Sequence, residues 1–279
     1  MTDSTVFTAH NGFSLPPQGL GTYNLRGESG ADAVRQGIEL GYRLIDTAFN
    51  YENEGAVGWG AAGAAVDRGE LILTTKLAGR HHAADRARTA LEESRFRLGV
   101  ESIDLALIHW PNPSVDRYVE AWQALVDARE RGLVRQIGVS NFLPEHLARI
   151  EEATGVRPVV NQIELHPHFP QRDALDFHRE HGILTEAWSP IGRARDVIDE
   201  PTILEIARTH GTTPVQTVLA WHRARGVVAI PKAADPAHQR QNLAANDITL
   251  APDEVDRITA LGRPDGRLFD ADPRTHEEQ

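Results

Sequence analysis

The chain has 279 residues, 29 of them basic and 40 acidic, for a formal charge of −11. That excess of acid argues against nucleic acid as the main partner, because a phosphate backbone calls for a basic surface. With no Cys, disulfides, thiol nucleophiles and thiolate-held metals are excluded. The mean hydropathy is −0.38, and no apolar run approaches the roughly 20 residues that span a bilayer. The N-terminal MTDSTVFTAH lacks the basic and apolar stretches of a secretory signal, so a cytoplasmic protein without a membrane partner is expected. Only Lys76 and Lys232 are lysines, against 27 arginines. In so Arg-biased a chain, a retained lysine marks a place where a compact ammonium is wanted.

Eight short apolar or β-branched runs alternate with helical segments. LPPQGLGTY (15–23) is a weak strand, broken by Pro and Gly. A helix over 31–40 follows, with Gly41 at its C-cap. YRLID (42–46) precedes a helix over 54–66, and LILTTK (71–76) a helix over 83–98. IDLALIHW (103–110) leads to a helix over 115–131, and RQIGVSN (135–141) to one over 144–153 that opens with Pro144. PVVNQIE (158–164) is followed by a helix over 172–181, ILTEAWS (183–189) by one over 214–225, and GVVAIPK (226–232) by one over 236–245. Runs that are continuously apolar read as strands buried on both faces, hence as a parallel sheet.

Strand then helix, eight times, predicts a (β/α)8 TIM barrel as one domain over 1–279. A doubly wound sheet is disfavoured, because no G-x-G-x-x-G follows the first strand. Segments 201–210 and 252–261 are two extra helices, and 1–14 is expected to form a hairpin closing the barrel floor. The polar DADPRTHEEQ (270–279) shows no period and is expected to be loose.

In such a barrel the chemistry sits where the strands end. The runs end at Thr22-Tyr23, Asp46, Lys76, His109-Trp110, Ser140-Asn141, Gln162 and Glu164, Trp188-Ser189 and Lys232. Tyr51 follows Asp46 by one short loop, which also holds Phe49. A tyrosine is a weak acid, and a nearby ammonium stabilises its phenolate. An aspartate beside that lysine keeps it charged, and a histidine can hold a carbonyl oxygen. Asp46, Tyr51, Lys76 and His109 together suit proton donation to an oxygen on which negative charge develops, as in hydride reduction of a carbonyl. His81 and His82 read as solvated, and His166 and His168 lack the third and fourth ligands of a metal site, so no metal is expected.

The same residues carry a resemblance to the aldo-keto reductases. G-Y-R-L-I-D-T-A-x5-E-x2-V-G (41–58), T-T-K-L (74–77), I-H-W-P (108–111), I-G-V-S-N-F (137–142), N-Q-I-E-L-H-P (161–167) and A-W-S-P-I-G (187–192) resemble that family's blocks in order and spacing. The resemblance implies an NADPH- or NADH-dependent reduction of aldehydes or ketones, with Tyr51 as proton donor, Asp46 and Lys76 tuning it, and His109 orienting the carbonyl. It implies that Thr22, Ser140, Asn141 and Gln162 meet the nicotinamide end, Trp188 stacks on the ring, and Ser189, Ile191 and Gly192 form the pyrophosphate loop. Lys232 and His238 would flank the 2′-phosphate, and Gln241 and Asn242 the adenine. Tyr23, Phe49 and Trp110, with loops near 112–118 and 193–200, would wall the small carbonyl substrate, and a short tail would leave the mouth open. The W-S-P-I-G loop resembles bacterial members that act on diketo sugar acids.

The third family signature departs. The family's Ser is Ala233 and its Arg is His238 in IPKAADPAHQRQN (230–242), with Asp235 alongside. Ala donates no hydrogen bond and His is mostly neutral at pH 7, so the phosphate clamp is weakened and NADH use is expected. A competing expectation is a cofactor-binding sensor barrel with little turnover. The family default is a monomer.

Overall fold

In the computed structural model, which describes residues 6–192 and 196–278, the eight runs become one parallel sheet. A short antiparallel hairpin, β1 (Phe7–Thr8) with β2 (Ser14–Leu15), comes first. The sheet follows as β3 (Leu20–Gly21), β4 (Leu44–Asp46), β5 (Ile72–Leu77), β6 (Ile103–Ile108), β7 (Val134–Ser140), β8 (Val160–Glu164), β9 (Leu184–Trp188) and β10 (Val227–Ala229). Each strand pairs with its neighbours in chain order. The ends meet through Gly19 N donating to Ala229 O at 2.9 Å and Gly21 N to Pro231 O at 3.0 Å, with Gln18 bridged to Ala229 and Gly21 to Lys232. The sheet is therefore a closed (β/α)8 barrel with no free edge.

The helices are α1 (Gly27–Leu40), α2 (Glu54–Ala62), α3 (Ala84–Leu98), α4 (Tyr118–Glu130), α5 (Pro144–Thr154), α6 (Arg172–His181), α7 (Pro201–His210), α8 (Pro214–Ala224), α9 (Pro236–Leu243) and α10 (Pro252–Thr259). Their ends follow local chemistry. Pro214 opens α8, and Thr213 accepts from Gln216 N at 3.2 Å while Gln216 accepts from Thr213 N at 3.0 Å. Gly99 ends α3 at φ 65° and Gly182 ends α6 at φ 62°, in the left-handed region that favours Gly. Helix α4 starts at Tyr118, three residues later than its pattern predicts, because Asn112 (φ 48°) and Asp116 (φ 55°) hold the preceding segment in a turn.

Alternation along the strands sorts the barrel interior into layers. The lowest layer is apolar, with Leu44, Leu105, Leu107, Val160, Leu184 and Val228 buried in one cluster. Leu15 of the hairpin joins it, and His10 N donates to Gly182 O at 2.8 Å, so the hairpin does close the floor. One step further toward the strand ends, the inward positions turn polar: Asp46, Lys76, Gln162 and Glu186, all buried. Outward positions such as Ile45, Ala106, Ile108, Ile137 and Val139 pack under the helices.

The final segment is not loose. Leu268 N donates to Glu164 Oε1 at 2.7 Å, Ser114 N to Glu277 Oε1 at 2.7 Å, and Asn112 Nδ2 to Glu278 O at 2.7 Å. These bonds join residues far apart in sequence, so no local pattern announces them.

Candidate active site

A cavity of about 530 Å3 opens at the ends of the strands. Asp46 is the last residue of β4, and Lys76 lies one strand over in β5. Parallel pairing sets Asp46 opposite Thr74, which leaves Lys76 one inward step higher. Lys76 Nζ therefore reaches Asp46 Oδ1 at 2.6 Å and Oδ2 at 2.8 Å, with Thr47 O at 3.0 Å as third acceptor. A single-turn 3-10 helix, Phe49–Tyr51, carries Tyr51 back over the pair. Its ring centroid lies 5.2 Å from Lys76 Nζ and 5.8 Å from the His109 ring. His109 follows the last residue of β6 and lines the cavity with Tyr51 and Asp46. Three residues read from strand ends, Asp46, Lys76 and His109, and Tyr51 from the loop after β4 thus converge.

Their electrostatics depart from expectation at Tyr51. Burial pushes the phenol up, and the Lys76 ammonium pulls it down without cancelling that rise. Burial also works against the Lys76 charge, but the negative groups around it, the Asp46 carboxylate first, outweigh it, and the ammonium is held above its ordinary value. Tyr51 is accordingly a protonated phenol beside a permanent ammonium. Gln162 Nε2 bridges Asp46 Oδ2 at 2.8 Å and Glu186 Oε2 at 2.7 Å. Burial, and then the neighbouring Asp46 carboxylate, push Glu186 up to about 8, so this carboxyl is neutral at pH 7 and adds no charge to the layer.

Of the expected cofactor residues, Thr22, Ser140, Asn141, Gln162, Trp188, Ser189, Ile191 and Lys232 line the cavity. Asn141 is locked in place: Trp188 Nε1 donates to its Oδ1 at 2.8 Å, and its Nδ2 donates to His109 O at 3.0 Å and Ser140 Oγ at 2.9 Å. The bond from Trp188 fixes the indole against the cavity. Because Gln162 Nε2 is committed to carboxyl oxygens, its carbonyl is the group available to a ligand amide. A flat aromatic wall beside an amide carbonyl, in a cavity of ligand size, fits a nicotinamide. Gly192 stands behind Ser189 and Ile191, where a Cβ would overlap Val197. Exposed His238, together with Gln241 and Asn242, lies on α9 outside the cavity lining. Asn242 is itself buried against the Tyr42 hydroxyl.

Tyr23 and Trp110 line the cavity, but Phe49 does not. Its ring is turned outward, edge-on to His81 at 4.8 Å and between the Arg80 and Arg97 guanidinium groups at 5.1 Å and 4.5 Å. In a 3-10 helix of three residues per turn, residues two apart project about 120° from each other, so with Tyr51 over the Asp46–Lys76 pair Phe49 faces elsewhere. Phe269 takes up cavity wall instead, 5.9 Å from the Trp188 ring, and His276 sits 4.2 Å from Trp110. Both come from the final segment, which closes part of a mouth expected to be open. The 193–195 part of the expected wall lies outside the described residues.

His82 is buried rather than solvated, and burial pushes it down to about 4. His166 and His168 are paired with Glu164 at 3.0 Å and Glu200 at 2.6 Å. Among the described residues no group of three or more His, Asp or Glu is placed to hold a metal.

Barrel and site together define a carbonyl-reducing oxidoreductase. Residues 19–263 match the Aldo/keto reductase family. The chain is 49% identical over 278 residues, with both chains fully covered, to 2,5-diketo-D-gluconic acid reductase B of Corynebacterium sp. (strain SHS752001). It is 40% identical to methylglyoxal reductase DkgA of Escherichia coli (strain K12), covering 98% of each chain. Among solved structures it resembles a point mutant of Gox0644 in complex with NADPH, with TM-score 0.93, 43% identity and 98% and 99% of the two chains covered. It also resembles the Bombyx mori aldo-keto reductase AKR2E4 in complex with NADP, with TM-score 0.89, 34% identity and 97% and 96% covered. The chain belongs to the aldo/keto reductase family. It is a nicotinamide-dependent reductase of aldehyde or ketone carbonyls rather than a sensor.

Proposed function

We propose that this chain reduces small dicarbonyl compounds, with Tyr51 giving the proton. The observation that carries the reading is the buried Asp46–Lys76 pair under a protonated Tyr51. A reduced nicotinamide, when bound, supplies the hydride that reaches the carbonyl carbon. Tyr51 Oη gives its proton to the carbonyl oxygen, and the adjacent Lys76 ammonium stabilises the phenolate left behind. Asp46 keeps Lys76 charged, and His109 orients the carbonyl oxygen. Tyr23, Trp110 and Trp188 supply an apolar wall that keeps water from the reacting atoms. Trp188 and Gln162 would hold the nicotinamide ring and its carboxamide. A dicarbonyl substrate is supported by the two relatives, whose names specify a diketo sugar acid and methylglyoxal.

The cofactor reading rests on α9. Asp235 Oδ1 accepts from Ala237 N at 2.7 Å and His238 N at 3.4 Å, so the N–H groups at this helix start already face a carboxylate. With Ala233 buried and His238 in place of Arg, Lys232 and Arg240 are the cations that 230–242 keeps to favour a 2′-phosphate. NADH use beside NADPH follows. Absorbance loss of both reduced cofactors, over aldehydes, vicinal dicarbonyls and keto sugar acids, tests these points. A large affinity advantage for NADPH refutes the cofactor reading, and turnover confined to simple aldehydes refutes the substrate reading. The reading extends to a monomer acting in the cytoplasm; among the described residues no helix is long and apolar enough to cross a membrane.

A further inference from the structure

The final segment does more than wall the cavity. Glu278 is only 11% exposed, and its carboxylate enters the space behind His109. Oε1 lies 2.6 Å from His109 Nδ1 and accepts from Asn50 Nδ2 at 2.7 Å, while Oε2 accepts from Gly79 N at 3.0 Å. The backbone on either side of the side chain is anchored too: Asn112 Nδ2 donates to Glu278 O at 2.7 Å and Asn112 Oδ1 accepts from Glu278 N at 3.0 Å. His109 Nδ1 is buried and makes no other hydrogen bond among the described residues, so what faces it is this close carboxylate contact, a distance rather than an aligned hydrogen bond. Two acceptors do not rest 2.6 Å apart, so Nδ1 carries the proton in this contact. Nε2 is then the nitrogen left to the cavity that His109 lines.

This arrangement matters because the two ring nitrogens share one fate. In the neutral ring with Nδ1–H, Nε2 only accepts, which suits an alcohol hydroxyl. To hold a carbonyl oxygen, Nε2 must donate, and both nitrogens carry protons only in the imidazolium. A carboxylate facing Nδ1 is an acceptor matched to a ring that donates from both nitrogens. We propose that Glu278 is a positioning residue of the reductase site, fixing the His109 ring and balancing its charge so that Nε2 donates to the substrate carbonyl. The proposal rests on the assignment of His109 to carbonyl orientation. It also explains why a polar terminal segment is bound so closely into the barrel mouth.

The test is a double-mutant cycle on kcat with a vicinal dicarbonyl, using Glu278→Gln, His109→Gln and the pair. Losing a charge-assisted hydrogen bond predicts that Glu278→Gln lowers kcat about 10- to 100-fold, with NADPH affinity unchanged. Glu278→Asp, which keeps the charge, should recover part of that loss. In the His109→Gln background, Glu278→Gln should have little further effect on kcat. If the two losses multiply, Glu278 only anchors the segment and the proposal is overturned. Wild-type kcat in Glu278→Gln overturns it as well. Wild-type protein that binds NADPH but turns nothing over fails the reductase reading itself, an outcome visible before any variant is made.

Discussion

Asp46→Asn is the sharpest probe of how the site is held together. The Lys76 side chain is fully buried, and Asp46 supplies two of its three acceptors, at 2.6 Å and 2.8 Å. In the variant the ammonium keeps Thr47 O and a single amide oxygen, but has no negative partner in contact. Breaking a buried pair by removing one member costs about 3–5 kcal/mol. The lower figure is expected, because Glu186 loses the carboxylate that helps keep it neutral and can ionise toward Lys76. For a chain of this size, about 3 kcal/mol lowers the melting temperature by roughly 6–12 °C. Asp46→Asn/Lys76→Met removes both charges and should recover most of the lost stability, since replacing a whole buried pair is often neutral. Neither variant should reduce a carbonyl at the wild-type rate. Guanidinium unfolding of the three proteins measures this. A single variant as stable as wild type, or a double variant no better than the single one, refutes the claim that the pair sets the cost.

Three further outcomes follow from the same geometry. Gly79→Ala should displace the final segment and weaken turnover more than folding, because a Cβ there would overlap the Asn112 amide and the Glu278 carbonyl; an unchanged kcat in a folded variant would contradict this. Glu186 is raised in the folded state from 4.5 to about 8, so the folded chain keeps a proton that the unfolded chain releases, and stability falls as pH rises through that window. Glu186→Gln should therefore gain on wild type in melting temperature as pH rises from the ordinary glutamate value of 4.5 to about 8, and a constant offset across that range would remove the argument. Ala233→Ser with His238→Arg should raise the NADPH-to-NADH affinity ratio by about tenfold or more, the worth of one charge-assisted contact; an unchanged ratio would mean that Lys232 and Arg240 already hold the phosphate.

The parts of the site that were legible in the sequence are those fixed by periodicity. Asp46, Lys76, His109, Gln162 and Trp188 each close an apolar run, and a parallel barrel must bring run ends together. The two helices outside the eightfold repeat, at 201–210 and 252–259, were legible for the same reason, with Pro at each start. Phe49 was not, because the direction of a side chain in a 3-10 turn is set by the turn and not by a repeat. Phe269, His276 and Glu278 were hidden for another reason. They lie in a polar stretch whose order comes from hydrogen bonds to Asn50, Gly79, Asn112 and Glu164, contacts that only the folded barrel creates. The burial of His82 has the same origin: its sequence neighbours Arg80, His81, Ala83 and Ala84 form no apolar run, and the groups close to it include Glu277 and Glu278 of the final segment.

The central claim is that Tyr51, held as a phenol over Lys76, delivers the proton in carbonyl reduction. Wild type and Tyr51→Phe should be compared by loss of reduced-nicotinamide absorbance on a vicinal dicarbonyl, with cofactor binding followed by tryptophan fluorescence in the same samples. The expected result is a variant that binds cofactor as wild type does and loses about 100-fold or more in kcat, the range assigned to a positioned proton donor. A variant that turns over at the wild-type rate would contradict the account and move the proton to another group at the mouth, with His109 the first to examine.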